Sequence, residues 1–285
     1  MNFSAIQSKL IGSKWSMEYS AFDSLYRSLE VIHQTRYGGL KGLILGNPLI
    51  TKSQSNDSTN NTVEDTTGDV AVIGINGVLI KGVSEESEQT LGLVNTDRIS
   101  QTLDNLAADP SVSVIVLNIN SPGGETTGID VLGRKIKHID ANIKPVYAWT
   151  ETQMASAAYW LGSQCRAIGS TTSASVGSIG VYMLLNDETK KNDMEGIKIN
   201  AISSGKWKLL GHSFRSISDE ERELLQLDVT KQHESFKQTV KANRPEVKEE
   251  ALEGLSYEGP DAFNLGLVDV VVDNLEGFLQ ELSVI

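Results

Sequence analysis

The chain has 285 residues, enough for one sizeable α/β domain with an accessory segment but hardly for two full enzymes. Its formal net charge of −12 argues against a nucleic-acid surface, which needs clustered Lys and Arg to neutralise phosphates. A single cysteine, Cys165, excludes an intramolecular disulfide, and its small-to-apolar surroundings predict that it is packed. No apolar run approaches the roughly 18 residues of a spanning helix, and Met1 to Leu10 do not read as a signal peptide. A cytoplasmic protein without a membrane span is the expectation.

Trp15, Tyr19, Phe22, Tyr26 and Leu29 are spaced 4, 3, 4 and 3 apart, which predicts one aromatic helix face. Residues 1–50 are therefore expected to form an N-terminal helical extension. Its face would dock on the rest of the chain or another subunit, or else on a capsid or scaffold partner. Residues 51–68 are dense in Ser, Asn, Thr and Asp and predict a flexible polar linker, where self-processing would be tolerated.

From Asp69 the pattern becomes regular. Strands are predicted at Val70 to Ile75, Val78 to Ile80 and Val112 to Asn120, with a helix from Thr96 to Ala107. A helix from Ile129 to Ile139, a strand ending at Thr150, a helix from Ser156 to Ser163 and a short strand at Arg166 to Gly169 continue the alternation. Another strand is expected from Ile197 to Ser203. Ser218-Asp219-Glu220-Glu221 fits a capping box that starts a helix running to about Asn243. Asp261 to Asn264 makes a helical turn, and a strand from Leu267 to Val272 and a helix from Leu275 to Leu282 close the chain. Repeated alternation of strand and helix predicts an α/β fold with crossover connections.

Three stretches carry candidate chemistry. In Met154-Ala155-Ser156-Ala157-Ala158-Tyr159-Trp160, one serine stands among small residues at a strand-to-helix turn, where it should be presented rather than buried. Unpaired N–H groups at a helix start can stabilise an oxyanion, although a plain N-cap serine would look the same. Ser121-Pro122-Gly123-Gly124 places a glycine turn at the carboxyl end of a strand, where α/β sheets hold their chemistry. Gly205-Lys206-Trp207-Lys208 supplies amines, one of which could act as the base a serine hydroxyl requires.

With Gly177-Ser178-Ile179-Gly180-Val181, these stretches form four ordered blocks that resemble the signal peptide peptidase A family of Ser/Lys serine peptidases. The resemblance runs from about Asp69 to Val272 and implies a Clp-protease/crotonase-like fold, with residues 69–285 as the peptidase domain. The compact form, with Tyr257-Glu258-Gly259-Pro260-Asp261-Ala262, is most similar to the head-maturation (prohead) proteases of tailed phages. That implies an endopeptidase processing scaffold and capsid proteins in the phage prohead or host cytoplasm, as a homo-oligomer with catalytic centres at subunit boundaries. A catalytically silent assembly protein and a host cytoplasmic peptidase are the competing readings.

The resemblance assigns Ser156 as nucleophile, Lys208 as general base ahead of Lys206, and Ser178 as the hydroxyl that orients the lysine. The oxyanion hole would use the N–H of Ala157 with that of Gly123 or Gly124. An ordinary amine costs about 4.6 kcal/mol to deprotonate at pH 7, so such a site must strip the lysine of water, and Trp207 could form an apolar wall. His33, His138, His212 and His233 lie in segments that look peripheral and lack metal-site spacing; a Ser-His pair using His212 is the alternative mechanism. No cofactor or metal is expected, and no phosphate-binding glycine loop occurs.

Overall fold

Val, Ile and Leu crowd the segments that become central strands in a computed structural model describing residues 3–37, 63–67 and 69–282. The order begins α1 (Phe3–Leu10), β1 (Lys14–Met17), α2 (Tyr19–Tyr37), β2 (Val63–Thr67), β3 (Val70–Asn76) and β4 (Val78–Ile80). Then come α3 (Glu85–Leu91), β5 (Leu93–Asn95), α4 (Thr96–Ala108), β6 (Val114–Asn120), β7 (Gly123–Glu125), α5 (Ile129–Asn142), β8 (Val146–Thr150) and β9 (Gln153–Ala155). The rest is α6 (Ala157–Gly162), β10 (Ile168–Ser170), β11 (Ser175–Gly177), β12 (Tyr182–Met183), α7 (Thr189–Met194), α8 (Asp219–Asn243), β13 (Ser256–Glu258), α9 (Gly259–Asn264), β14 (Val270–Val271) and α10 (Leu275–Glu281).

The main sheet has the order β14-β10-β8-β6-β3-β2 and is parallel except for β2. Both faces are covered, as parallel strands of near-continuous apolar sequence require. Ala71, Ile73 and Ile75 of β3 point into a core shared with Ile99 and Leu103 of α4, Leu132 and Ile136 of α5, and Ala157 to Leu161 of α6. The alternate residues Val70 and Val72 pack with Val116, Trp149 and Phe278 on the opposite face, where the Phe278 ring of α10 stacks on Trp149. The strand and helix alternation read from the sequence is thus present, with ends shifted by a few residues.

Two smaller sheets hang on this frame. One has the order β12-β1-β7-β4-β5 and the other β13-β11-β9. The capping box at α8 forms as expected: the Ser218 hydroxyl accepts from the Glu221 N–H while the Glu221 carboxylate accepts from the Ser218 N–H.

Three expectations need correction. Trp15 does not share a helix with Tyr19 and Phe22; it lies on β1, fully buried, and its ring meets Phe22 edge-on at 5.6 Å. The N-terminal segment is accordingly not helical throughout, because pairing with β7 and β12 offers Lys14–Met17 a ladder that outweighs the 3.6-residue pattern. Its docking expectation is met for Trp15, Phe22, Tyr26 and Leu29, which pack with Val78, Ile80 and Leu93, but not for Tyr19, which is exposed. Val63–Thr67, taken with the polar linker, pairs antiparallel with β3; a strand at a sheet edge needs backbone hydrogen bonds rather than apolar side chains. The remainder of that linker lies outside the described residues. Finally, Ile197 to Ser203 carries alternating isoleucines but forms no strand, having no ladder partner.

Helix α8 is anchored on α6 by the parallel stack of Phe236 on Trp160, with centroids 4.4 Å apart. Phe236→Ala is expected to lower stability by about 3–5 kcal/mol in urea unfolding, the cost of a large core cavity. A loss below about 1 kcal/mol would show that this stack does not hold α8 in place.

Candidate active site

Ser156 and Ser178 are brought side by side by strand register. In the parallel pair β9–β11, Ala155 faces Gly177, so the residue following each is one of these serines. Both serines have positive φ, 58° and 53°, and among the described residues they are the only non-glycines that do. For Ser156 this lets one residue turn the chain from β9 directly into α6. Its N–H donates to the Gly177 carbonyl at 2.7 Å and its carbonyl accepts from Trp160 N–H, which together hold the strained conformation.

The side chain of Ser156 makes no capping bond, so the plain N-cap reading fails. Its Oγ lies instead 2.6 Å from the Oγ of Ser16 on β1. Ser156 is also buried, 1% exposed, which corrects the expectation of a presented serine: β1 crosses over it. Ser16 was missed in the sequence because an isolated serine between two apolar residues carries no signal.

The glycine turn stands against the same point. A Cβ on Gly123, whose φ is +99°, would lie 2.2 Å from the Ser16 carbonyl oxygen and 2.9 Å from the Ser156 Cβ. Only glycine permits that approach. On Gly124 a Cβ would strike the Leu79 carbonyl oxygen at 2.0 Å. The Gly123 N–H donates to the Ser121 hydroxyl at 3.2 Å, and the Ala157 N–H opens the first turn of α6, where no intrahelical acceptor exists.

A cleft of about 600 Å³ opens here, lined by Glu18, Ser156, Ser178, Gly180, His233 and Ser256 among others. His233, which the sequence placed in a peripheral segment, lies on α8 and reaches into this lining. Its Nε2 is 2.9 Å from two backbone carbonyls, Ile179 and Leu252, so that nitrogen must carry the proton and donate. His212 is exposed beside Phe214 and does not line the cleft.

Neither Lys206 nor Lys208 lines it either. Both lie on a projecting arm between β12 and α8, in which every residue from Asp193 to Lys208 is exposed. Lys206 pairs with Glu220 and covers the Trp207 ring at 4.3 Å. The structure therefore joins Ser156, Ser178 and the glycine turn, and leaves Lys208 apart from them within one subunit. Cys165 is buried as expected, and burial pushes its thiol pKa up. Among the described residues no helix is long and apolar enough to cross a membrane, and no cluster is set to hold a metal ion.

Residues 138–280 match the model of peptidase family S49. The chain belongs to that family. A Methanocaldococcus jannaschii protein named as a protease is 36% identical over 59% of this chain and 55% of its own length. The capsid assembly protease C of Escherichia phage lambda is 29% identical over 73% of this chain and 47% of its own. Against these relatives the chain spans about half the length of the curated proteins it matches. Among solved structures, the membrane-bound stomatin-specific protease 1510-N superposes with a TM-score of 0.47 at 14% identity, over 76% of this chain and 85% of that one. The family match covers Ser156, Ser178 and Lys208 but stops short of the glycine turn.

Backbone strain at Ser156 can be separated from loss of its hydroxyl. Ser156→Gly should be more stable than Ser156→Ala by about 1 kcal/mol, because both lack the hydroxyl and only glycine is at ease at this φ. Equal stabilities in denaturant titration would mean that the turn is unstrained.

The base of the arm is held by carboxylates. Bonds from Arg215 and the Ser218 N–H lower the Glu221 pKa from 4.5 to about 2. Hydroxyl bonds from Ser216 and Thr189 lower that of Asp187 from 3.8 to about 2. A depressed folded-state pKa gives stability that is present above the unfolded value and is lost as pH falls through the folded one. Hydrogen exchange at residues 213–218 should accelerate, relative to β6, as pH is lowered from about 4.5 to about 2. A flat relative rate across that window would show that these bonds do not hold the arm.

Proposed function

We propose that the chain is a serine endopeptidase of the Ser/Lys type, with residues 69–285 as its peptidase domain and residues 1–50 as an extension built onto it. The observation that carries this reading is the placement of Ser156, at a strained strand-to-helix turn, against the glycine turn at Gly123. Such a turn fixes a hydroxyl next to unpaired N–H groups. Ser156 Oγ would attack the peptide carbonyl as its proton passes to the amine of Lys208, which Ser178 orients. The oxyanion would be held by the N–H of Ala157 with that of Gly123 or Gly124.

Lys208 has to arrive from elsewhere, and the arm's composition supports a second subunit as its destination. Met194, Ile197, Ile199, Ile202 and Trp207 are all exposed, Ile202 completely. Apolar side chains clustered on one extended arm mark a protein–protein contact. Docked in a neighbouring cleft, the arm would shed water from Lys208 and so make a base of it. The reading is thus a homo-oligomer whose centres form between subunits.

Membership of S49 and likeness to a phage capsid assembly protease favour scaffold and capsid proteins as substrates, cut in the prohead or host cytoplasm. Co-expression with a scaffold and major capsid protein tests this. Cleavage should occur with the wild type and fall by at least about a thousandfold with Ser156→Ala or Lys208→Ala. Mixing those two inactive variants should restore roughly a quarter of the activity, since random assembly pairs an intact Ser156 with a neighbour's intact Lys208 at that frequency. Undiminished cleavage by Lys208→Ala would remove it as base, and absence of recovery in mixed, assembled protein would return the base to the same subunit. Capsid assembly fully supported by uncleaved substrates would favour the silent assembly protein.

A further inference from the structure

Strand β1 lies between β7 and β12, antiparallel to both, and β7 is the strand that emerges from the glycine turn. Its backbone occupies what β7 has to offer. Glu18 N–H donates to the Pro122 carbonyl and Thr126 N–H to the Lys14 carbonyl. Antiparallel ladders alternate hydrogen-bonded and open pairs, so the pair midway between these, Ser16 and Gly124, is also hydrogen-bonded. The Gly124 N–H, one of the oxyanion candidates, is thereby engaged by the Ser16 carbonyl.

The side chains of β1 divide by face. Trp15 and Met17 are buried in the N-terminal apolar cluster. The alternate residues Lys14 and Ser16, and Glu18 directly after the strand, make polar contacts: Lys14 with Asp228 at 3.1 Å, Ser16 with Ser156, and Glu18 with Gln153 Nε2 at 2.7 Å and the Ser256 hydroxyl at 2.8 Å. Proton accounting at Ser16 is specific. Its hydroxyl donates to the Gly180 carbonyl at 2.9 Å, and having one proton it can only accept from Ser156. Ser16 therefore accepts the hydrogen bond of the Ser156 hydroxyl, in the position where a general base would have to stand.

Resting on the reading of Ser156 as nucleophile, we propose that Lys14–Glu18 is an internal pseudosubstrate strand, held in the peptide groove by its polar face and displaced when substrate binds. The groove it marks takes an extended polypeptide that adds as a strand to β7, with a small residue in the place of Ser16 and its backbone rather than its side chains providing most of the recognition. Displacement frees Ser156, the Gly124 N–H and the position of the base in one movement.

The test is reaction of Ser156 with a fluorophosphonate, with casein cleavage followed in parallel, in the full-length assembled protein. Glu18→Gln weakens charge-assisted bonds to Gln153 and Ser256 and should raise the rate about tenfold over wild type. In the Lys14→Cys/Met183→Cys protein, the two cysteines stand opposite each other on β1 and β12, and a disulfide between them would lock the strand. The oxidised form should react at least about tenfold more slowly than the same protein reduced. Ser156 reacting at equal rates in wild type, Glu18→Gln and the locked protein would overturn the pseudosubstrate while leaving the peptidase reading intact. Neither reaction nor cleavage in any form, Glu18→Gln included, would overturn the peptidase reading and the pseudosubstrate with it.

Discussion

The site depends on one constraint: the chain must pass from β9 into α6 through a single residue, Ser156, whose φ of 58° and ψ of −122° no ordinary side chain adopts freely. What holds it there is the parallel ladder to β11, which ends with the Ser156 N–H on the Gly177 carbonyl. The same ladder delivers Ser178, also at positive φ, to the adjacent position. Glycine at 123 lets the preceding turn come within contact of Ser156. Three segments distant in sequence thus meet because two strands share a register and one residue lacks a side chain.

Rigidity behind that turn comes from α6, which is buried along its whole length. Small residues, Ala157 and Ala158, let it sit close to the sheet, while Tyr159 donates its hydroxyl to the Leu267 carbonyl and Trp160 stacks on Phe236. Burial of a large aromatic at each of these positions fixes the helix in translation and rotation. A strained residue survives only where its surroundings over-determine it, and here both the strand before it and the helix after it are pinned.

Much of this was legible locally. Strands β3, β6 and β8, helices α4, α5 and α8, and the capping box at Ser218 follow from apolar period and cap chemistry, which act within a few residues. The glycine turn and Ser156 were legible as motifs. What was not legible depends on pairing across long sequence separation. Trp15, Tyr19 and Phe22 satisfy a helical spacing, yet Lys14–Met17 finds two strand partners, β7 and β12, far along the chain. Ile197 and Ile199 satisfy strand alternation, yet among the described residues no strand pairs with them. His233 enters the cleft only because α8 packs over α6, and no local pattern announces that.

Two of the segments that local reading misjudged have opposite deficiencies. Strand β1 buries a polar face against Ser156, giving it a hydrogen-bond partner but no base. The arm exposes an apolar face and carries the Lys208 side chain out in water, away from the cleft that holds Ser156. On the proposed reading of the site, each segment would relieve the other's deficiency. An arm docking in a cleft needs room beside Ser156, and the room is where Ser16 now stands; a strand leaving that place exposes ladder groups of β7 and β12 that an extended chain can take up. Coupling the departure of one to the arrival of the other would keep Ser156 without a base in an isolated subunit, and confine hydrolysis to assembled protein with substrate at hand.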